Sequence, residues 1–306
     1  MELKVSDVGE KELVKYILSK SPTVTADDTA ITNLDSNLNL ISTTDMLIQS
    51  KHFPDKMSYF QMGFKAVTVN VSDLAAMGAK PLGFLLSIAI PKDLEVKDFK
   101  EIIRGVKTAC EFYEIPLIGG DTNEASEIII NGTALGLNTD SLMKNTYKKN
   151  DLIAITGNIG LAALGFYCDN SKYQENILKP IARIKEGRIL KEYGATSATD
   201  ITDGLASELY EMFNGMGMLI YEDKLNISPE FKQTASDSGL DYLDLILYFG
   251  EDFELLFTIP ENKVEDLKNK IDFTVIGEVT DSSQISMKLS NGDIKKIEKK
   301  GYNHFR

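Results

Sequence analysis

The stretch 63-GFKAVTVNVSDLAAMGAKP-81 decides how this chain of 306 residues can be expected to fold. Its large apolar residues, with one that precedes it, recur at intervals of four and three, the spacing of one buried helical face. They are Phe60, Phe64, Val67, Val71 and Leu74. Gly78 and Pro81 are residue types that end helices. Because β-branched residues form helices poorly, the pattern predicts a helix that is held by packing.

A second face of this predicted helix carries polar groups. Asn70, Asp73 and Met77 are three and four residues apart and therefore neighbours on the helix surface. The helix thus offers the carboxylate of Asp73 from a rigid support. Considered alone, this stretch is better explained as an ordinary amphipathic helix with a solvated aspartate.

The composition is that of a globular protein with an acidic surface. Hydrophobic residues make up 43% and charged residues 26%, and the length favours two domains. The net charge of −13 argues against a general nucleic-acid binder, because phosphate backbones require Lys and Arg. A phosphate-bearing ligand is still compatible if divalent cations lie between the two negative surfaces. Two histidines, His52 and His304, are too few for a multi-histidine metal site.

The N-terminal segment and the hydropathy pattern predict a cytoplasmic protein. No apolar run reaches the roughly 20 residues that span a bilayer. The first twenty residues lack the charged-then-apolar order of a signal peptide. They predict instead a helix over 6–20 with Leu13, Tyr16 and Ile17 facing inward.

Aspartates recur near the ends of predicted strands and the starts of predicted helices. They are Asp27, Asp28, Asp45, Asp73, Asp121, Asp200 and Asp203. Asp121 follows two glycines that would let the backbone approach a ligand, although a plain tight turn is the alternative. Asp203 precedes a predicted helix, where a simple N-cap is an equally good interpretation.

Carboxylates that converged on one site would repel one another unless hard cations lay between them. Mg²⁺ takes oxygen ligands and shares them with substrate phosphates, and Thr43 and Thr44 add neutral oxygens. Such a site suits phosphoryl transfer. A Gly-Lys pair of the Walker type and the HRD and DFG motifs of protein kinases do not occur. The residues therefore indicate a metal-dependent enzyme that acts on phosphates.

Eight segments, in order, resemble the thiamine-monophosphate kinase family of the aminoimidazole ribonucleotide synthetase superfamily. They are ADDTAI (26–31), STTDML (42–47), KHF (51–53), GFKAVTVNVSDLAAMGAKP (63–81), GGDT (119–122), TDITDGL (199–205), GEDFELLFT (250–258) and GYNHF (301–305). The resemblance runs from Gly9 to His304, nearly the whole chain. The NVSDLAAMGAKP and GEDFELLFT segments are its most specific parts.

The resemblance implies an α+β fold of two α/β domains. Residues 1–140 would form an N-terminal metal-binding, ATP-binding and dimerisation domain, and residues 141–306 a C-terminal α/β sandwich. The N-terminal sheets of a homodimer would pair into a barrel. The implied reaction is phosphorylation of thiamine monophosphate to thiamine diphosphate by ATP. Transfer would be direct and in line, assisted by several Mg²⁺ ions, with no covalent nucleophile on the protein and with neither nucleic acid nor membrane as a partner.

The resemblance also assigns roles to residues of this chain. The metal ligands would be Asp27, Thr43, Thr44, Asp45, Asp73, Asp121, Asp200 and Asp203. The ATP contacts would be Gly120, Asp121, Lys144 and Thr202. The contacts to the thiamine substrate would be His52, Glu251 and Tyr302. Lys144 stands where the family carries an Arg, and it can replace the charge but not the bidentate fork.

Two alternatives stay open at this point. One is another ATP-dependent enzyme of the superfamily, similar to aminoimidazole ribonucleotide synthetase. Selenophosphate synthetase is disfavoured, because it needs an N-terminal Cys or selenocysteine and the first Cys here is Cys110. The other is a catalytically weak nucleotide-binding relative, since the segment 138–150 departs from the family pattern.

Overall fold

The fold was analysed in a computed structural model that describes residues 4–21, 27–168 and 170–302. The helices are α1 (Val5–Val8), α2 (Glu10–Lys20), α3 (Gln49–His52), α4 (Tyr59–Ala76), α5 (Val96–Phe112), α6 (Leu161–Tyr167), α7 (Ser171–Leu178), α8 (Ile184–Glu192), α9 (Leu205–Met212), α10 (Pro229–Asp237), α11 (Tyr242–Tyr248) and α12 (Val264–Lys268). The strands are β1 (Ala30–Asp35), β2 (Leu38–Ile48), β3 (Lys80–Ile90), β4 (Leu117–Glu124), β5 (Ile129–Asn138), β6 (Leu152–Thr156), β7 (Ser197–Asp200), β8 (Gly217–Tyr221), β9 (Leu255–Ile259), β10 (Phe273–Thr280), β11 (Ile285–Lys288) and β12 (Ile294–Lys296). Two short 3₁₀ turns lie at Glu222–Lys224 and Glu261–Lys263.

The strands form two mixed sheets, so the fold is α+β as the sequence predicts. The first sheet has the order β1-β2-β5-β3-β4, antiparallel except for the parallel pair β3 and β4. The second has the order β12-β11-β8-β10-β6-β9-β7, in which β8 and β11 are the parallel pair. One edge of the first sheet is β4, and all eight of its residues are exposed.

The helix predicted from the opening stretch is confirmed as α4, which begins four residues earlier than the quoted segment. The Ser58 hydroxyl accepts a hydrogen bond from the Gln61 amide, and the Gln61 side-chain Oε1 accepts one from the Ser58 amide. This capping box fixes the start of the helix. Asn70 and Met77, on the predicted polar face, are as fully buried as the apolar face. Helix α4 therefore lies inside the molecule, in contact with α5, β5, α8, β2 and β7.

Two glycines allow α4 and α5 to cross in close contact. A Cβ at Gly63 would lie 2.0 Å from the carbonyl oxygen of Ile102. A Cβ at Gly105 would lie 1.9 Å from the carbonyl oxygen of Phe60. Because neither distance is sterically allowed, the crossing requires glycine on both helices. This contact sets the position of α4, and with it that of Asp73.

Some sequence predictions need correction. The predicted first helix is broken at Gly9, where φ is 78°, and Tyr16 and Ile17 are exposed rather than inward-facing. Asp121 lies in the middle of β4 and not after a strand end. The sequence also predicts a strand over 23–31, but β1 begins only at Ala30, and residues 23–26 lie outside the described residues.

The two halves of the chain share one hydrophobic core. The larger cluster surrounds α4 and continues into the second half through residues such as Ala198, Phe257 and Leu267. A second cluster lies wholly beyond residue 146 and packs the helices of that half against the second sheet. Every helix among the described residues is too short or too polar to span a bilayer.

Candidate functional site

Three aspartates from distant parts of the chain meet in one cluster. One carboxylate oxygen of each of Asp28, Asp73 and Asp200 lies within 4.8 Å of the others. Asp28 lies in the bend before β1, Asp73 in the last turn of α4, and Asp200 at the end of β7. The two halves of the chain therefore supply the acidic triad together.

Burial raises the pKa of each of these carboxyl groups. It brings the pKa of Asp28 to about 7 and that of Asp200 to about 6, and neighbouring carboxylates add to both shifts. The pKa of Asp73 lies well above its usual value, again through burial first and then through Asp45, Asp200 and Asp28. Burial, followed by Asp28 and Asp203, raises the pKa of Asp45 to about 6. The protein thus concentrates carboxylates whose mutual repulsion disfavours their charged forms.

The oxygens of the acidic triad fit a divalent cation. Asp28 Oδ2 and Asp200 Oδ2 are buried and accept no hydrogen bond from the described residues. A buried carboxylate oxygen without a donor is costly unless a cation approaches it. The Thr43 hydroxyl donates to Asp73 Oδ2, which leaves the other oxygen of that carboxylate for a ligand. Hard oxygens of this kind are what Mg²⁺ prefers.

Lys144 supplies a positive charge at the edge of the acidic triad. Its ammonium nitrogen lies 2.6 Å from Asp28 Oδ1, and both side chains are largely buried. Burial alone would lower the pKa of Lys144, but the adjacent Asp28 carboxylate raises it above its usual value. The Thr199 hydroxyl donates to the same Asp28 oxygen at 3.3 Å. Asp28 is therefore held in place on one oxygen while the other faces the cluster.

A cavity of about 840 Å³ lies beside the triad, and seven of the predicted site residues line it. The predicted residues that line it are Asp45, His52, Asp73, Thr202, Asp203, Glu251 and Tyr302. The simple N-cap interpretation of Asp203 is not what the structure shows, because Gly204 holds the N-cap position of α9. The backbone of Asp203 is instead held by the buried Glu208, whose Oε1 accepts a hydrogen bond from the Asp203 amide at 3.1 Å.

Four predicted residues lie outside this arrangement. Asp27 accepts the amides of Asp28 and Lys144, at 2.9 and 3.3 Å, and so shapes the loop rather than joining the triad. The Thr44 side chain lies on the opposite face of β2 from Thr43 and donates to the Gly132 carbonyl at 2.8 Å.

Gly120 and Asp121, the other two, lie on the exposed edge strand β4. A Cβ at Gly120 would lie 1.8 Å from the Leu86 carbonyl oxygen, so glycine is needed there for β4 to pair with β3. Asp121 Oδ2 accepts a hydrogen bond from Asn123 at 3.2 Å. Neither residue lines the cavity within this chain.

Aromatic rings line the end of the cavity formed by α6 and the loop after α11. Phe166 and Tyr167 are 53% and 54% exposed, and each lies near Phe249 with ring centroids 5.4 Å apart. The centroids of Phe166 and Tyr167 are 5.1 Å apart with the rings edge to face. We call these three residues the aromatic wall. Large rings exposed inside a cleft are suited to stack on a flat ligand.

The loop 250–253 connects the aromatic wall to the rest of the site. Glu251 and Phe253 adopt left-handed backbone conformations, with φ of 60° and 53°, which non-glycine residues rarely do. Asp252 accepts the Gly160 amide at 2.8 Å and the Ala162 amide at 3.4 Å, at the start of α6. Burial raises the pKa of Asp252 to about 8 despite these two hydrogen bonds. One strained loop therefore carries Glu251, directly follows Phe249, and also fixes the start of α6 beside them.

Sequence reasoning missed three residues of this site. The sequence pattern marks Asp28 as half of an acidic pair, whereas the resemblance assigns the ligand role to Asp27. Lys65 and Glu208 were not singled out, although each is a charged residue inside an otherwise apolar helical pattern. Charged residues are rarely fully buried unless they are paired, so that position in the pattern was the available signal.

Comparison with known proteins gives consistent results over the whole chain. Residues 26–138 match the model of the AIR synthase related protein N-terminal domain, and residues 148–290 match that of the C-terminal domain. The thiamine-monophosphate kinase of Pyrococcus abyssi is 38% identical over 286 residues, covering 91% of this chain and 89% of that protein. The enzyme of the same name from Methanocaldococcus jannaschii is 36% identical, with 92% and 94% covered. A solved structure of AaThiL complexed with AMPPCP and TMP superimposes with a TM-score of 0.90 at 29% identity, covering 99% of both chains.

Proposed function

The chain belongs to the thiamine-monophosphate kinase family of AIR synthase related proteins, and from that membership we propose that it phosphorylates thiamine monophosphate to thiamine diphosphate with ATP. It is an ATP-dependent phosphotransferase. The observation that carries the proposal is the acidic triad, whose member Asp73 lines a cavity of about 840 Å³ together with the predicted substrate residues.

Mg²⁺ would be held by Asp28, Asp73 and Asp200, with Asp45 and Asp203 close by on the cavity wall. When bound, it would screen the phosphate oxygens and stabilise charge that develops during transfer. The carboxylates would hold the ion in a fixed place, and their burial would limit competition from water. We propose a direct in-line transfer, in which a phosphate oxygen of thiamine monophosphate attacks the γ-phosphorus of ATP and ADP leaves, so that no nucleophile on the protein is needed.

The cavity supports a definite orientation of thiamine monophosphate. Its acidic end would take the phosphate through bound metal, and the aromatic wall would take the flat pyrimidine and thiazolium rings. His52, Glu251 and Tyr302 line the same space and would contact the thiamine part. The His52 Nδ1 accepts a hydrogen bond from the Ile48 amide at 2.9 Å, which orients the ring at the edge of the cavity.

We propose that ATP binds through Gly120, Asp121, Lys144 and Thr202 and that a second copy of the chain completes this part of the site. Gly120 and Asp121 lie on an edge strand whose backbone is open to pairing. Pairing of the first sheets across a homodimer into a barrel would cover that edge and bring new neighbours to Asp121. The proposed division is at residues 1–140 and 141–306, with the first part carrying the dimer contact.

The test is product formation by the purified protein. With ATP, MgCl₂ and thiamine monophosphate, we expect thiamine diphosphate in chromatography, and none when MgCl₂ is replaced by a chelator. Asp73→Asn keeps the side-chain shape but removes a charge from the acidic triad, so turnover should fall by at least about 100-fold. Lys107→Ala, on the exposed face of α5, is the matched control and should keep wild-type turnover.

Two outcomes would contradict the proposal. If thiamine monophosphate gives no diphosphate at any MgCl₂ concentration while ATP still binds, the chain is a catalytically weak nucleotide-binding relative. If ATP is consumed only with a different acceptor, it is another enzyme of the superfamily. Undiminished turnover by Asp73→Asn would reject the acidic triad as the metal site.

A further inference from the structure

Lys65 is the buried lysine at the centre of α4, and its side chain is 1% exposed. A lysine is almost never buried to this degree without partners. Its ammonium group donates to the His52 carbonyl oxygen at 2.9 Å and forms an ion pair with Glu251 Oε2 at 2.5 Å. Both partners border the cavity, which Lys65 also lines.

The two partners of Lys65 come from different halves of the chain. His52 ends α3, beside the first sheet, and Glu251 lies in the strained loop before β9 of the second sheet. One ammonium group therefore joins the two walls of the cavity. Lys65 is two helical turns from Asp73 on the same helix, so the same rigid element carries the metal end and this junction.

Glu251 is fixed at both its backbone and its side chain. Its amide donates to the Thr202 carbonyl at 2.8 Å, and Lys65 holds one carboxylate oxygen. A carboxylate paired with an ammonium group offers a positioned hydrogen-bond acceptor and no net negative charge. The rings of a cationic substrate would then be held by stacking and hydrogen bonds more than by charge attraction.

We propose that Lys65 is a positioning residue that sets the width of the cavity at its thiamine end. It holds the Glu251 carboxylate and the His52 backbone at a fixed separation, so the space between them is formed before the substrate arrives. Such preorganisation lowers the cost of ordering the loop on binding. This inference rests on the proposed function for the identity of the substrate, but the contacts that carry it do not.

The kinetic test is a double-mutant cycle on Lys65 and Glu251. Lys65→Met should raise the KM for thiamine monophosphate at least about tenfold, with kcat and the KM for ATP changed less than about threefold. Glu251→Gln should raise the same KM. The double variant should be no worse than Glu251→Gln alone, because Lys65 acts through Glu251. A purely structural lysine would lower thermal stability without this separation of KM from kcat.

Arg183→Gln is the matched control for the loss of a buried ion pair. Arg183 Nε lies 2.6 Å from Glu254 Oε2, and neither residue lines this cavity. This variant should lower the unfolding temperature and leave the KM for thiamine monophosphate within about twofold of wild type. If Lys65→Met does not fold, the comparison of the double variant with Glu251→Gln carries the test, since removal of both charges avoids an unpaired buried group.

Amide hydrogen exchange tests the junction without any substrate. Lys65→Met, or the double variant if the single one does not fold, should exchange faster than wild type at Glu251 and around His52, and unchanged exchange there would overturn the inference. An unchanged KM in Lys65→Met, or additive effects in the cycle, would overturn it too. If wild type makes no thiamine diphosphate, the proposed function fails, and exchange alone then decides whether Lys65 positions the two walls.

Discussion

At the scale of single residues, the acidic triad opposes folding in the absence of a ligand. Asp28, Asp73 and Asp200 are brought together from three segments into a space where burial disfavours their charged forms. Lys144 offsets part of this repulsion at Asp28. This cluster lowers the free energy of unfolding of the metal-free protein, and a cation that binds to it would raise that free energy again.

The pH dependence of stability follows from these pKa shifts. Because the folded-state pKa values of Asp28, Asp45 and Asp200 are raised to about 7, 6 and 6, the folded protein binds more protons than the unfolded chain between about pH 4 and 7. Without metal, the free energy of unfolding should therefore fall as pH rises through that window. Thermal melts in a chelator across the window would measure it.

Mg²⁺ should reverse this trend, because it binds the ionised carboxylates and protons compete with it for them. We expect MgCl₂ to raise the unfolding temperature more at about pH 8 than at about pH 5.5. Asp200→Asn should lose much of the increase at the higher pH. Equal increases at both pH values, or an undiminished increase in Asp200→Asn, would show that Mg²⁺ acts elsewhere.

Sequence reasoning at this scale found the carboxylates that follow regular elements and missed contacts that only folding creates. Asp73 and Asp200 could be predicted because a helical face and a strand end fix where their side chains point. Asp27 and Asp28 lie in a bend, where neighbouring residues have no fixed periodicity, so the pattern could not choose between them. The pairing of Lys65 with Glu251 joins residues 186 positions apart and has no local signal.

At the scale of elements, periodicity predicted α4 closely, because this helix buries a regular face over many residues. Helix α2 was predicted, but its apolar residues Tyr16 and Ile17 are exposed. The hydrophobic periodicity identifies the apolar face of a helix, but it does not show which other element packs on that face. Asp121 was expected after a strand, yet β4 continues through both glycines because it pairs with β3. Tertiary pairing there outweighs the turn preference of Gly-Gly.

The aromatic wall, which lies on α6 and the loop after α11, should have a measurable effect on the KM for thiamine monophosphate. Phe249 lies against both Phe166 and Tyr167, so Phe249→Leu keeps apolar bulk and removes two ring contacts. The KM for thiamine monophosphate should rise roughly fivefold, which corresponds to about 1 kcal/mol of stacking, with the KM for ATP unchanged. Phe112→Leu is the control, because Phe112 is an exposed ring packed edge to face on Tyr113 outside the cavity. An effect of Phe112→Leu as large as that of Phe249→Leu would contradict this role.

At the scale of the whole molecule, α4 is the element that both halves need. It packs under the first sheet and against α8, where a Cβ at Gly187 would lie 2.0 Å from the Ala75 carbonyl oxygen. The same core cluster contains residues of both halves. The halves therefore hold the acidic triad at fixed spacing, and the proposed domains are not independent of one another in packing.

The edge strand β4 makes the oligomeric state the last testable property. Its residues are all exposed, and Gly120 and Asp121 lie on it away from the cavity of their own chain. An exposed edge carries open backbone groups that a second sheet can pair with. Sedimentation should therefore give the mass of two chains for wild type. Ile118→Lys places a charge on this edge and should give one chain with a raised KM for ATP, whereas Val96→Lys, at an exposed position at the start of α5, should stay paired. A wild-type protein that sediments as one chain with full turnover would show that the edge strand serves no partner copy.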